Sequence, residues 1–264
     1  MELVVCLKEI IDPEIPPSQF KIDPAAKRQL PEGHALVIST YDEHALEVAL
    51  KLKEAKGGTV TALCLGAPTA TTALKKALAM GADQAVLLND PVLLASDAFG
   101  VASALAAAIR KRGPFDLVLA GCESGDWASR AVGPLLAEEL GIPCVAYASR
   151  VEMAGGGVQA RKLVEDGYAL IEAPLPLLVT ITSDESNVPR FPKLKDIMAA
   201  GRKPIPTWTA ADLGLAEPKR NGSRVTVADL SIPVRETRCE ILDGESPEEK
   251  VDRLVSRLRD LKLL

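Results

Sequence analysis

The chain is 264 residues long and carries 31 Lys+Arg against 36 Asp+Glu, a net charge of −5. A chain of this size buries about 70% or more of its unfolded surface, so it needs no disulfide or metal to hold a core. The mild acidity argues against a nucleic-acid partner, which asks for a basic face. Aromatic residues are only 3% of the chain, so Ala, Leu and Val have to build the core. Five cysteines, odd in number and without a CxxC pair, and only two histidines weigh against a zinc site or a histidine-centred triad. The start, Met1-Glu2 and a short apolar run, does not read as a secretory leader, and no apolar stretch reaches the length of a membrane span. A reducing cytoplasm is the expected setting.

The first half alternates short apolar runs with helical patterns. Leu3–Leu7, Val60–Leu65, Gln84–Leu88, Phe115–Ala120 and Cys144–Ala148 read as five buried strands. Four helices fall between them. Asp42–Lys56 follows Thr40 and Glu43 at capping-box spacing. Thr69–Met80 stops at Gly81, Asp97–Arg112 has Ser96 as its candidate cap, and Ser129–Leu140 stops at Gly141. Alternation of this kind predicts an α/β fold with a doubly wound, mostly parallel sheet, helices on both faces and a core order of 3-2-1-4-5. Ligands of such sheets bind at the switch point, here between the first and fourth strands. That placement sets Cys6–Lys8 opposite Gly121–Gly133.

After Arg150 the pattern changes. Val151–Met153, Val158–Leu163 and Tyr168–Glu172, separated by glycine-rich turns, predict antiparallel additions, and Leu177–Thr182 a further buried strand. Gly201–Glu245 is rich in proline and polar residues and reads as an extended arm. Ser246, Pro247 and Glu249 then open a helix whose apolar stripe is Val251, Leu254, Val255, Leu258 and Leu261. The expected division is a nucleotide-binding α/β domain over 1–200, followed by the arm and C-terminal helix over 201–264, packing on a partner subunit.

The stretch richest in candidate chemistry is Gly121–Gly133, GCESGDWASRAVG, which follows a strand and opens a helix. A loop in that place aims backbone N–H groups at an anion, and Gly121 and Gly125 permit close approach. Ser124, Ser129 and Arg130 are additional donors. Asp126 suits a ribose hydroxyl or a helix cap, and Trp127 either covers a ligand or wedges against a neighbour. An ordinary strand-to-helix loop is the plain alternative. Neither GxGxxG after the first strand nor GxxxxGK[ST] is present. Ser39, Thr40, Tyr41 and Asp42 sit before a helix, as nucleotide contacts or simple caps. Cys6, Cys64 and Cys122 end strands on the ligand side, where small-residue packing is a plainer reading than reactivity. His44 reads as a surface or cap residue. Asn187–Lys203 mixes prolines, apolar residues and five basic side chains, which suits docking on an acidic partner or, more plainly, a solvated connection into a short helix.

Ordered landmarks along nearly the whole chain make it recognisable. They are Val4–Lys8, Asp42–Glu54, Ala77–Asp83, Asp116–Gly121 with its loop, Leu175–Thr182, and Asn187–Arg190 leading to Leu194–Lys203. In these the chain resembles the beta subunit of electron-transfer flavoproteins.

The resemblance implies a non-catalytic electron carrier that pairs with an alpha subunit as a heterodimer. FAD is held at the subunit boundary, and a second nucleotide, AMP or, in bifurcating members, a second FAD, lies in the beta subunit. Carried onto this sequence, the cofactor-binding residues are Cys6, Ser39, Thr40, Tyr41, Asp42 and Cys64. The loop residues Cys122, Glu123, Ser124, Gly125, Asp126, Trp127, Ala128, Ser129, Arg130, Ala131, Val132 and Gly133 complete the set. The docking loop corresponds to Arg190, Lys193, Leu194, Lys195, Ile197 and Met198, with Leu194 as apolar anchor. The donor would be a dehydrogenase such as an acyl-CoA dehydrogenase of fatty acid oxidation, and the acceptor a membrane-associated quinone oxidoreductase. No catalytic residue and no metal is expected. Two departures stand out: Arg130 and Ala131 replace small or amide residues of relatives, and Pro13 replaces a tyrosine found in some. The competing reading is a nucleotide-binding or nucleotide-hydrolysing α/β module without flavin.

Overall fold

The computed structural model describes residues 1–215, 224–233 and 239–264. Strand β1 (Glu2–Leu7) alternates its side chains between two cores. Leu3, Val5 and Leu7 enter one cluster, Val4 and Cys6 the other. That is the two-residue period of a strand buried on both faces. Short strands β2 (Glu9–Ile11), β3 (Lys21–Asp23), β4 (Arg28–Leu30) and β5 (Leu36–Ile38) form two antiparallel pairs, β2 with β5 and β3 with β4. Helix α1 (Thr40–Lys56) returns to β6 (Thr59–Leu65), α2 (Thr71–Met80) to β7 (Gln84–Leu88), and α3 (Pro91–Leu94) and α4 (Ala98–Arg112) to β8 (Leu117–Gly121). Then follow α5 (Val132–Leu140), β9 (Cys144–Ala154), β10 (Gly157–Val164), β11 (Gly167–Ala173), β12 (Leu177–Ile181), α6 (Leu194–Arg202), β13 (Thr207–Trp208) and α7 (Pro247–Asp260).

Among the described residues, nine strands form one sheet in the order β11-β10-β9-β12-β8-β1-β6-β7-β13. Residues of α1 and α2, such as Leu46, Ala49, Leu74 and Ala77, pack in one core. Residues of α4 and α5, such as Ala102, Leu105 and Leu136, pack in the other. The sheet is therefore doubly wound. The expected order 3-2-1-4 holds from β7 to β8. Between the fourth strand and the fifth, β12 inserts, parallel to both β8 and β9. All five of its residues, Thr180 included, are buried, as a central position requires.

Other differences are local. Val151–Met153 is not a separate strand but the continuation of β9, which runs for 11 residues into the hairpins. Ser39, not Thr40, is the N-cap of α1, and Asp97, not Ser96, caps α4 by accepting from the Gly100 N–H at 3.0 Å. Helix α5 begins at Val132 rather than Ser129, because Ala128 and Arg130 have left-handed backbone (φ 47° and 58°), which a helix excludes. The stretch read as an arm is not extended from its start: Thr207–Trp208 joins the sheet edge beside β7. Residues 216–223 and 234–238 of that stretch lie outside the described residues. The chain divides into two compact units, Met1–Asp229 and Leu230–Leu264. Among the described residues no helix is long and apolar enough to cross a membrane.

Candidate functional site

The switch point lies where β1 and β8, neighbours in the sheet, send their chains to opposite faces. Helix α1 starts there and closes it. The buried Asp42 carboxylate accepts from the Lys8 N–H at 2.9 Å and from the Gly121 N–H at 2.8 Å, so one side chain ties the ends of both strands. Burial raises the Asp42 carboxyl to about 7, against the opposing pull of these two N–H bonds and of Lys8. Ser39 makes no cap bond; its Oγ accepts from the Gly125 N–H at 3.1 Å instead. Lys8 Nζ reaches across to Asp126 at 2.7 Å. The sequence placed Lys8 on this lip but singled out no role for it. A basic side chain at a strand end facing an acidic loop was the available signal.

Gly121 is glycine for a reason the structure makes plain. A Cβ there would stand 2.6 Å from Asp42 Oδ1 and 2.8 Å from Tyr41 Cβ. The close approach expected at Gly121 and Gly125 is thus made by the protein itself. At Gly125 the neighbour is Ile10 Cδ1, 2.9 Å from a built Cβ.

Beyond Gly125 the loop turns on the left-handed Ala128 and Arg130. Left-handed non-glycine residues store backbone strain and cluster at functional sites. Arg130 pairs with Glu123, and its guanidinium lies 5.9 Å from the Tyr147 ring. The first turn of α5 has no side-chain cap, and since its third residue, Pro134, carries no N–H, the Val132 and Gly133 N–H groups are what it can offer an outside acceptor. Trp127 is 48% exposed on the loop. Burial raises the Tyr41 hydroxyl, with smaller contributions from Cys122 and Glu123. Burial also pushes the Cys6 thiol up, and that of Cys64 to about 12. Both stay protonated at neutral pH, so they fill space rather than attack. Glu9, which sequence reasoning missed, offers Oε2 to the Thr69 hydroxyl at 2.6 Å, while its Oε1 is buried without a protein partner. Thr40, Ser124, Ser129, Ala131 and Val132 lie in the same two segments, and Gly133 packs against β12 at Thr180.

The second predicted group sits on the Glu185–Arg202 stretch. Asn187 is buried, donates to the Ser149 and Thr182 carbonyls at 3.0 and 2.9 Å, and accepts from the Asp184 N–H at 2.8 Å. His44, expected at the surface, is buried beside it, its Nδ1 2.9 Å from both the Asn187 O and Oδ1. Arg190 is held by two carboxylates, Glu47 at 2.9 and 3.0 Å and Glu54. Lys193, Leu194, Lys195, Ile197 and Met198 are all exposed at the start of α6. Phe191, 96% exposed, joins them and was not singled out in the sequence.

Two surface concavities lie elsewhere, about 480 Å³ along α7 and about 350 Å³ beside Ala154–Gly157. Among the described residues no cluster of His, Cys, Asp or Glu has the makings of a metal site.

Comparison with known proteins covers nearly the whole chain. The model of the electron transfer flavoprotein domain family matches residues 30–213. The electron transfer flavoprotein subunit beta of Clostridium acetobutylicum is 37% identical over 98% of each chain. The caffeyl-CoA reductase-Etf complex subunit CarD of Acetobacterium woodii is 33% identical over the full length of both. Protein FixA of Azorhizobium caulinodans is 34% identical over 85% of this chain and 80% of its own.

Proposed function

The chain belongs to the electron transfer flavoprotein family and is of its beta-subunit type, an electron carrier component rather than an enzyme, and from that premise we propose the rest. It pairs with an alpha subunit, covers an FAD held at the boundary, and holds a second adenine nucleotide, AMP or FAD, in its own switch-point crevice. FAD supplies the redox chemistry; this chain's residues bind, orient and dock. Electrons arrive from a dehydrogenase of the acyl-CoA type and leave to an acceptor such as a quinone oxidoreductase. The setting is a reducing cytoplasm, which suits five free cysteines.

The residues present fit a nucleotide. The first turn of α5 lacks a cap and suits a phosphate. The orphaned Glu9 Oε1 suits a hydroxyl donor such as a ribose. Lys8 and Arg130 already neutralise Asp126 and Glu123, so an anion meets no bare carboxylate on the loop. The carrying observation is the convergence of Ser39–Asp42 and Gly121–Asp126 at the β1–β8 switch point. The 1–200 part would form this nucleotide-binding body. The 201–264 part, with the stripe of α7, would pack on the alpha subunit.

The test is mass spectrometry of nucleotides released on denaturing the complex formed with a co-expressed alpha subunit. One FAD and one AMP per heterodimer, or two FAD, is expected. A complex that releases a single FAD and nothing else would remove the crevice assignment. A complex without flavin would remove the carrier reading.

A further inference from the structure

Helix α1 touches both candidate regions. Its first turn closes the crevice through Ser39 and Asp42. Further along, His44, Glu47, Lys51 and Glu54 recur at spacings of three and four, which places them on one face. All four grip the root of the docking segment. His44 bonds Asn187, Lys51 donates to the Ser186 carbonyl, and Glu47 and Glu54 share the Arg190 guanidinium. Glu47 also accepts from the Arg190 backbone N–H at 3.1 Å. The side chain of Glu47 is only 3% exposed, so its pairing with Arg190 admits little freedom. The exposed residues Phe191, Leu194, Ile197 and Met198 follow directly.

We propose that α1 is a strut that couples the nucleotide crevice to the docking segment, with Glu47 and Arg190 as positioning residues rather than docking contacts. This rests on the nucleotide reading of the crevice given above. In the chain by itself the Ser39 hydroxyl and the Asp42 carboxylate are engaged by the Gly125, Gly121 and Lys8 N–H groups. A nucleotide that draws on these groups redistributes those bonds, and so favours one placement of the first turn of α1 over others. A helix with nine buried residues moves as a body rather than bending. Its displacement reaches Arg190 through a forked, charge-assisted contact that resists sliding. Linkage then requires the converse: a partner seated on the docking segment changes nucleotide affinity by the same factor.

Hydrogen exchange read by mass spectrometry, on the heterodimer stripped of nucleotide and then supplied with AMP or FAD, separates the outcomes. Local slowing at 39–45 and 122–133 reports occupancy of the crevice. The strut predicts slowing at 187–202 as well, by roughly five-fold or more. In Glu47→Gln the local slowing persists and the distant slowing disappears, while Arg190→Lys, which keeps the charge, restores part of what Arg190→Gln loses. Glu54→Gln, at the exposed end of the fork, gives a partial loss and serves if Glu47→Gln fails to fold. Local slowing without any distant effect overturns the strut and leaves the crevice assignment standing. Distant slowing that survives Glu47→Gln overturns it too, since the route is then not α1. No slowing anywhere with either nucleotide removes the crevice assignment and the strut together.

Discussion

Helices α1 and α7 begin alike and end differently. Both have an apolar stripe and a polar start legible in the sequence. In α1 nine of 17 residues are buried, among them the polar Asp42, His44 and Glu47. In α7, of 14 residues, none is buried. The first turn of α7 is fully equipped: Ser246 Oγ accepts from the Glu249 N–H at 3.2 Å, Pro247 takes the first position, and Glu249 pairs with Arg253 one turn on. The cap of α1 is spent elsewhere, on Gly125. A helix held by its packing releases its polar ends for other work, whereas α7 relies on local devices, each worth only tenths of a kcal/mol to about 1. Periodicity announces which face is apolar; it does not say what covers it.

The contrast is broken most directly in the core of α1. Leu46 is fully buried, so Leu46→Ala should cost about 2–5 kcal/mol of stability, read by urea unfolding. A cost under about 1 kcal/mol would mean that α1 is no better held than α7.

Asp42 supplies the next largest effect, and its sign is fixed. Burial raises its carboxyl from the ordinary 3.8 to about 7 in the folded chain. The folded state therefore binds the proton more tightly than the unfolded one. The associated stability is fully present below about pH 4 and is withdrawn as pH rises through 7. Asparagine does not titrate. The margin of the wild type over Asp42→Asn should shrink between pH 4.5 and pH 8, by up to a few kcal/mol. A margin that grows with pH would show the two N–H bonds outweighing burial.

Much of the fold was legible in the chain. The strands at Leu3–Leu7, Val60–Leu65 and Gln84–Leu88 announced themselves as short, largely apolar runs, and Gly81 and Gly141 do end their helices. The insertion of β12 between β8 and β9 was not legible, because neighbours in a parallel sheet are set by crossovers that leave no local mark. The crevice segments could be placed by topology, but the Asp42 tie between two strand ends could not. It joins residues 34 and 79 positions apart, and a carboxylate in a first turn looks the same in sequence whether it caps or braces. The grip of Glu47 and Glu54 on Arg190 was hidden for the same reason, since those carboxylates lie 143 and 136 positions away in the chain.

The proposed docking face sharpens the comparison, since it too leaves apolar side chains in water. Leu194 is 73% exposed, so its loss removes little from the folded chain. Leu194→Ala should leave stability and flavin content unchanged and slow electron delivery from a partner dehydrogenase about ten-fold, the 1.4 kcal/mol that one apolar anchor contributes. Stopped-flow reduction of the complex measures it. Loss of flavin instead would place Leu194 in the subunit contact.

The smallest effect on the chain itself should come from α7. Val251, Leu254 and Leu261 are 57%, 46% and 51% exposed. Truncating an exposed side chain removes almost no buried area, so Leu254→Ala should change the stability of the free chain by less than about 0.5 kcal/mol. Pairing is another matter. If α7 packs on the alpha subunit, its stripe is buried there, and the same methyl groups then count for about 1–3 kcal/mol, a weakening of five-fold to over a hundred-fold in subunit affinity. Titrating the chain against the alpha subunit, with flavin retention on dilution as the readout, measures this difference. Unchanged affinity would leave α7 with no partner to explain its stripe. A large loss of stability in the free chain would show that the helix belongs to the fold after all, and that α1 and α7 differ in degree rather than in kind.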